Sequence, residues 1–445
     1  MATPATQPIP NPLSMAAVLR IPIMRRLWYA QVISVFGDFL ALFAVIGVLT
    51  FRLNASAQQV INLQIAYLLP IAILGVVAGV FVDRWPLKPT LVSSDAIRCG
   101  LVLLLLLCTR LWQFYAVLAA ISVISSFFGP AQGVAIRSAV PLHGLRSANA
   151  LMQQVIFGMR IIGPALAALL VATFGPRVCY LADATSFAGS ALLIASIPFV
   201  LPTPDLSPQP APDPSPRPTP DLPSRPEQRE VEGPASPATP LRRIFSDMQV
   251  GFHFILHHAA LLFVILALAA GMFVLGCFGP LIAVYVRDSV HASTRVFGVA
   301  SAGIGVGLFV GINLLTVAGK RLSNNLLVYA GLSGIAAGLA LLTGLTHIWS
   351  TVLGTITIGF ATAGIIIPSQ TLIQTETPPA LMGRVGSTVM SVVFSAQIAG
   401  LILSGLLATH IGVRHVFAVC AILLALLITA GRLFMEPRPA ATSAS

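Results

Sequence analysis

Apolar residues fall in long uninterrupted runs, each ended by charged or turn-forming residues. Twelve such runs occupy residues 28–50, 60–82, 91–109, 114–136, 149–172, 177–200, 259–286, 295–317, 325–345, 348–373, 384–408 and 413–434. Each matches the roughly 20 residues needed to cross a bilayer. In hydrocarbon, backbone polar groups must be satisfied within the segment, so each run is expected to be a helix. The run at 259–286 is long enough to tilt, or to kink at Gly279–Pro280. Between the sixth and seventh runs the pattern stops. Residues 201–240 contain PTPDLSPQPAPDPSPRPTPDLP, rich in proline and without an apolar period. Such a stretch cannot bury a core and is expected to be an extended tether, although proline-rich segments also dock SH3-type domains. The expected domains are a cytoplasmic tail (1–27), a six-helix bundle (28–200), the linker (201–246), a second six-helix bundle (247–435) and a cytoplasmic tail (436–445).

Composition narrows the class. Of 445 residues 56% are hydrophobic and 9% charged, with a mean hydropathy of +0.91. A soluble domain carries about 25% charged residues. The net charge is +11, from 25 Lys+Arg against 14 Asp+Glu. No basic patch with interleaved aromatics occurs, so this excess does not indicate a nucleic-acid partner. It reads as membrane topology instead. With both termini inside, 17 Lys/Arg fall in cytoplasmic segments and 6 in outer loops, while Arg98 and Arg160 lie inside helices. The first long run contains Asp38 and lacks a cleavage site, so a retained helix is expected. Cys99, Cys108, Cys179, Cys277 and Cys420 show no CxxC or Cys/His spacing, which implies neither disulfide nor metal. Residues 241–258 form an amphipathic entry to the second bundle. His253, His257 and His258 there have no carboxylate or thiol beside them and read as interfacial, a metal cluster being the other reading.

The two halves align at an offset of 238 residues. Pro130-Ala131-Gln132 falls on Pro368-Ser369-Gln370, Pro141 on Pro379 and Arg146 on Arg384. Parallel six-helix repeats joined by a long loop are the pattern of the major facilitator architecture. After the second run, Gly79-Val-Phe-Val-Asp83-Arg84-Trp-Pro86-Leu87-Lys88-Pro-Thr-Leu91 resembles that superfamily's loop signature GxLaDRxGRKxxL. Pro86 and Leu87 depart from it. The resemblance implies a latch of Gly79, Asp83, Arg84 and Lys88 against the start of the eleventh helix, near Gly383 and Arg384. Read from the residues alone, Arg84 and Lys88 could be positive-inside anchors. The second half keeps the basic pair Lys320-Arg321 without an Asp, so the latch would be asymmetric. Gly158, Gly163 and Pro164 on the fifth helix resemble an exporter-associated signature ending in GPxxGG, with Ala167 and Ala168 in place of its last glycines. Four further segments, beginning at Arg26, Arg146, Tyr180 and Pro379, are similar to the enterobactin-exporter and macrolide-efflux branch. That branch implies proton-driven efflux of amphipathic compounds.

Ionisable side chains within membrane helices are costly and are functional candidates. Asp38 and Arg160 sit at similar depth on the first and fifth helices. Either they form a fixed salt bridge, or they alternate between pairing and contact with a proton or substrate. Asp183, on the sixth helix, is expected to have a packing or hydrogen-bonding role, with coupling as the alternative. Asp95 and Arg98 are spaced to pair at i,i+3. No GxSxG, HExxH or P-loop is present, and Gly303-Ile-Gly305-Val-Gly307 suits close helix packing better than a dinucleotide site.

The expected fold class is therefore an all-α membrane protein of twelve transmembrane helices in two six-helix pseudo-repeats. The expected function is proton-coupled efflux of a lipophilic or amphipathic small molecule, a drug or siderophore, across the bacterial inner membrane. No cofactor, enzymatic activity or metal is implied. The partners are the solute, protons and the lipid bilayer, and the chain is expected to act as a monomer. The alternatives are a facilitator, importer or lipid transporter of the same fold, or a membrane sensor that recruits partners through its proline-rich loop.

Overall fold

The computed structural model describes residues 13–82, 84–198, 249, 252–318, 322–378 and 381–434. Twelve long helices run through them: α1 Pro22–Gly47, α2 Ala57–Val82, α3 Leu87–Leu104, α4 Leu111–Ala139, α5 Leu145–Phe174, α6 Pro176–Ala195, α7 Ala259–Asp288, α8 Thr294–Ala318, α9 Asn324–Gly344, α10 Ile348–Glu376, α11 Met382–Ile411 and α12 Val413–Phe434. Among the described residues there is no strand. Ten spans are long and apolar enough to cross a membrane by length and composition alone. The exceptions among the twelve are α3, which carries Lys88, Asp95 and Arg98, and α5.

The ends follow local chemistry. Pro22 occupies the first turn of α1, where its missing N–H costs nothing. The expected 27/28 boundary therefore falls inside α1, and a short helix, Met15–Arg20, precedes it, capped by Ser14. α1 ends in a π-helical turn, Val48–Arg52. α7 continues through Pro280 without interruption. The linker (201–246), Asp83, Lys320, Arg321, Pro379 and the C-terminal tail lie outside the described residues.

Helix pairing shows the internal repeat in three dimensions. In the first half α1 packs on α5 and α6, α3 on α4 and α6, and α2 on α4. Adding six to each number gives contacts that the second half also makes: α7 with α11 and α12, α9 with α10 and α12, and α8 with α10. The α8–α10 seam explains the glycine-rich run. A Cβ at Gly307 would overlap the Ile356 carbonyl, and one at Gly359 would overlap that of Ile304. Only bare backbone allows helices to approach this closely.

The halves meet through α2 on α11, its repeat equivalent α5 on α8, and α2 on α7. Among the described residues, side-chain contacts between them lie at the face away from the termini, the far face. Phe43 of α1 stacks on Phe297 of α8 at 4.3 Å between centroids. Arg287, at the end of α7, donates from one nitrogen to the Thr50 carbonyl (2.8 Å) and the Ala55 carbonyl (2.7 Å). A Cβ at Gly405 of α11 would press on the Gln58 amide of α2. At the terminus face a separate core runs from Val18, Met24 and Leu27 through Leu91 and Phe128 to Ile197, with every member from the first half.

Candidate functional site

The α1–α6 contact fixes the level of the buried charges. Gly37 lies directly against α6, where a Cβ would overlap Ser186 Oγ and an oxygen of the Asp183 carboxyl. Asp183 is 1% exposed and accepts from Ser186 Oγ at 3.3 Å. The next residue on α1 is Asp38, which is half-buried. Asp38, 145 positions from Asp183 in sequence, is thus the chain neighbour of the glycine on which Asp183 packs.

α3 brings the cation. Arg98 and Asp95 form the ion pair expected from their spacing, and both are buried, Asp95 completely. Its second oxygen accepts from Ser190 Oγ of α6 at 2.6 Å. The Arg98 guanidinium lies between two rings, with its carbon 4.3 Å from the Phe128 centroid on α4 and 4.5 Å from that of Phe187 on α6. Such faces attract a cation without consuming its N–H groups. Arg98 Nε is buried and has no hydrogen-bond partner. Arg98 and Asp95 act electrostatically on Asp38, and Asp38 acts on Asp183. Tyr67 of α2 lies in the field of Asp38, Arg98 and Asp183. No ion pair joins Asp38 to another described residue in this state.

Among the described side chains, three carboxyl groups and one guanidinium from α1, α3 and α6 therefore gather in one cluster within the first bundle. The side chain of Arg160, the partner expected for Asp38, lies outside the described residues. Asp183 accepts a hydrogen bond from Ser186 one turn along its own helix and also belongs to the cluster. Reasoning from the sequence missed Ser186, Ser190, Phe128, Phe187 and Tyr67. One signal was available, since Asp183, Phe187 and Ser190 follow i, i+4, i+7 spacing and mark one stripe of α6.

Closer to the terminus face, Gln132 Nε2 of α4 donates to Gln31 Oε1 of α1 at 2.6 Å. Gln31 is two turns before Asp38 on the same face of α1, and Gln132 belongs to the repeated Pro-x-Gln segment. Gly163 of α5 seats Phe39, the neighbour of Asp38, and a Cβ there would lie 2.7 Å from Phe39 Cβ. Gly158 has open space around it. Of the expected latch, Asp83 and the side chains of Gly79 and Arg384 lie outside the described residues, as does that of Pro164. Arg84 is exposed and Lys88 half-buried. Trp85, which stands beside Pro86 where the signature has its glycine, anchors the turn by stacking on Phe127 at 5.5 Å. His253 and His257 are exposed, their ring centroids 4.2 Å apart, and His257 Nδ1 meets the His253 carbonyl at 2.8 Å.

The comparisons agree with this geometry. The profile of the Major Facilitator Superfamily matches residues 27–401 and 264–445. YfiS of Bacillus subtilis (strain 168), described as an uncharacterized MFS-type transporter, is 29% identical over 404 residues, 89% of each chain. A solved structure of the nucleoside transporter NupG superposes with a TM-score of 0.66 at 13% identity, covering 94% of this chain and 100% of that one. A bacterial homologue of the human lysosomal transporter Spinster, crystallised inward-facing and unoccupied, gives 0.63 at 12% identity, covering 94% and 99%. These structures share the fold, and the family profile reaches across both six-helix halves. The chain belongs to the major facilitator superfamily and is a multi-pass membrane transporter rather than an enzyme.

Proposed function

We propose that the protein is a proton-coupled exporter of lipophilic or amphipathic small molecules in the bacterial inner membrane, working by alternating access with both termini cytoplasmic. The observation that carries the reading is the buried cluster in which Asp183 packs against Gly37, the neighbour of Asp38, and Arg98 pairs with Asp95. Among the described side chains, three carboxyl groups face one guanidinium, and carboxylates in excess of cations in a low dielectric are costly, an arrangement that bound protons relieve. Asp38 is the member left partly accessible, as a group that loads and releases protons must be. The Lys/Arg bias supports a cytoplasmic terminus face. On that orientation, the described contacts at the far face support reading this as the inward-facing state.

Three further features support export of apolar solutes. Gly163, one member of the partial Gly158, Gly163 and Pro164 motif, seats α5 against Phe39 of α1, beside Asp38. The described helix faces offer few charges beyond this cluster, which suits amphipathic solutes better than sugars, whose hydroxyls need many polar partners. The segments similar to the enterobactin-exporter and macrolide-efflux branch point the same way. Asp83, Arg84, Lys88 and Arg384 would latch the cytoplasmic ends in the opposite state.

The test is accumulation of a fluorescent lipophilic cation and a panel of siderophores in efflux-deficient cells, comparing wild type, Asp38→Asn and Asp83→Ala. Lower accumulation in wild type, abolished by a protonophore and by Asp38→Asn, is the expected result. Accumulation equal to that of empty cells across the panel, at normal membrane expression, contradicts it.

A further inference from the structure

We propose that Arg98 is the positioning residue of proton coupling: a movable counter-ion, held on Asp95 in the present state and transferred to Asp38 in the opposite one. The inference rests on the proton-coupled reading above. Four observations carry it. Arg98 is bound to one carboxylate while a buried N–H, on Nε, lacks an acceptor. A buried orphan donor is a standing cost that an acceptor in another state removes. The guanidinium carbon lies over two aromatic rings, Phe128 at 4.3 Å and Phe187 at 4.5 Å, contacts that hold the cation without using its N–H groups, which leaves those groups able to exchange acceptors. Asp95 is tied from its other side by Ser190, so the carboxylate stays put when the arginine turns. Asp38, the accessible carboxyl, lies in the field of Arg98 without pairing to it.

The exchange links charge to helix position. Because Gly37 leaves no slack between α1 and α6, drawing Asp38 toward α3 must slide α1 across Asp183 and Ser186. α1 also carries Phe43 and the Thr50 carbonyl, both joined to the second half at the far face. The same movement therefore loads the contacts that hold that face shut. The titratable or charged groups around Arg98 are Asp95 and Cys99 on α3, Asp183 on α6, Tyr67 on α2 and Asp38 on α1. α5 contributes Arg160, whose side chain is not among those described. α4 presents the Phe128 ring.

The experiment is double electron–electron resonance on the full chain in nanodiscs, after replacement of the native cysteines by alanine. Spin labels go at Leu107→Cys, in the turn after α3, and Trp349→Cys, in the first turn of α10, exposed sites at the far-face end of each half. Distances are recorded from acid to alkaline pH. The wild-type background should show one pH-dependent opening of the far face, which Asp38→Asn abolishes. Asp95→Asn frees Arg98 for Asp38 and should move the midpoint toward acid. Arg98→Gln removes the counter-ion and should move it toward alkali. Each shift should be about one pH unit, a tenfold change in proton concentration. Arg98→Lys keeps the charge and loses the planar fit between the rings, so its midpoint should fall between wild type and Arg98→Gln. It also serves should Arg98→Gln not fold. A static ion pair acting through its field alone moves Asp95→Asn and Arg98→Gln in these same two directions but leaves Arg98→Lys, which keeps the charge, at the wild-type midpoint. That result overturns the role of Arg98 while leaving Asp38 as the proton site. A midpoint that follows Arg160→Gln and ignores Arg98 overturns it in favour of Arg160. Absence of any pH-dependent opening in wild type, or opening unchanged in Asp38→Asn, overturns the proton-coupled reading and the inference with it.

Discussion

Gly37 illustrates how much a single residue settles. Its missing side chain is the space in which α6 places Asp183 and Ser186. Gly37→Ala should force the helices apart at a cost of about 1–3 kcal/mol, the usual range for overpacking. A lower melting temperature and lost transport, with expression retained, would be the signature. Asp95 makes a sharper case. Replacing it with alanine strands a buried guanidinium, and losing one partner of a buried pair costs about 3–5 kcal/mol. Asp95→Ala should therefore be far less thermostable than Ser190→Ala, which removes one hydrogen bond and leaves the ion pair; equal melting temperatures would argue against a buried pair. The Asp95–Arg98 pair was legible in the sequence because it is local, fixed by i,i+3 spacing on one helix. Its other partners come from α4 and α6, which no local periodicity brings together with α3. That is why Phe128, Phe187 and Ser190 went unnoticed beside it.

At the level of elements, the twelve helices were readable to within several residues, because lipid demands long apolar runs and charges mark their ends. Which helices touch was readable only through the repeat. A second repeat signal went unused: Asn54-Ala55-Ser56 recurs as His291-Ala292-Ser293, at an offset of 237. Asn54 and His291 both take positive φ, 50° and 53°. In each segment the residue after the left-handed position donates its amide back to the end of the preceding helix, Ala55 to Leu49 and Ala292 to Val286. On this shared turn Arg287 adds an asymmetric feature, capping the end of α1 from the other half. Removing it should loosen the far face. Arg287→Ala should raise the rate at which an impermeant thiol reagent, added outside, labels Thr409→Cys, which lines a far-face cavity of about 580 Å3 together with Arg287, Asp288 and Arg414. An unchanged rate would show that Arg287 does not hold that face closed. Along the α8–α10 seam, Gly307→Val should lower the melting temperature by inserting a side chain where backbone meets backbone.

For the whole molecule, two pseudo-equivalent bundles meet through α2–α11 and α5–α8, yet they differ where it counts. The ion-pair cluster belongs to the first half, and the glycine seam of α8 and α10 to the second. This division suits a mobile, proton-responsive bundle working against a more rigid one. The linker has no part in the proposed cycle beyond joining the two, so deletion of residues 205–238 should leave transport near the wild-type level; abolition of transport would favour a recruiting role for the loop. The central claim is that solute movement and proton movement are one process passing through Asp38. Everted membrane vesicles test it directly, with acridine orange reporting the pH gradient and a fluorescent lipophilic cation as solute. Adding the cation to energised vesicles should partly collapse the gradient as the cation accumulates, and Asp38→Asn vesicles should do neither. Accumulation that leaves the gradient untouched, or that proceeds equally in Asp38→Asn, would contradict the account.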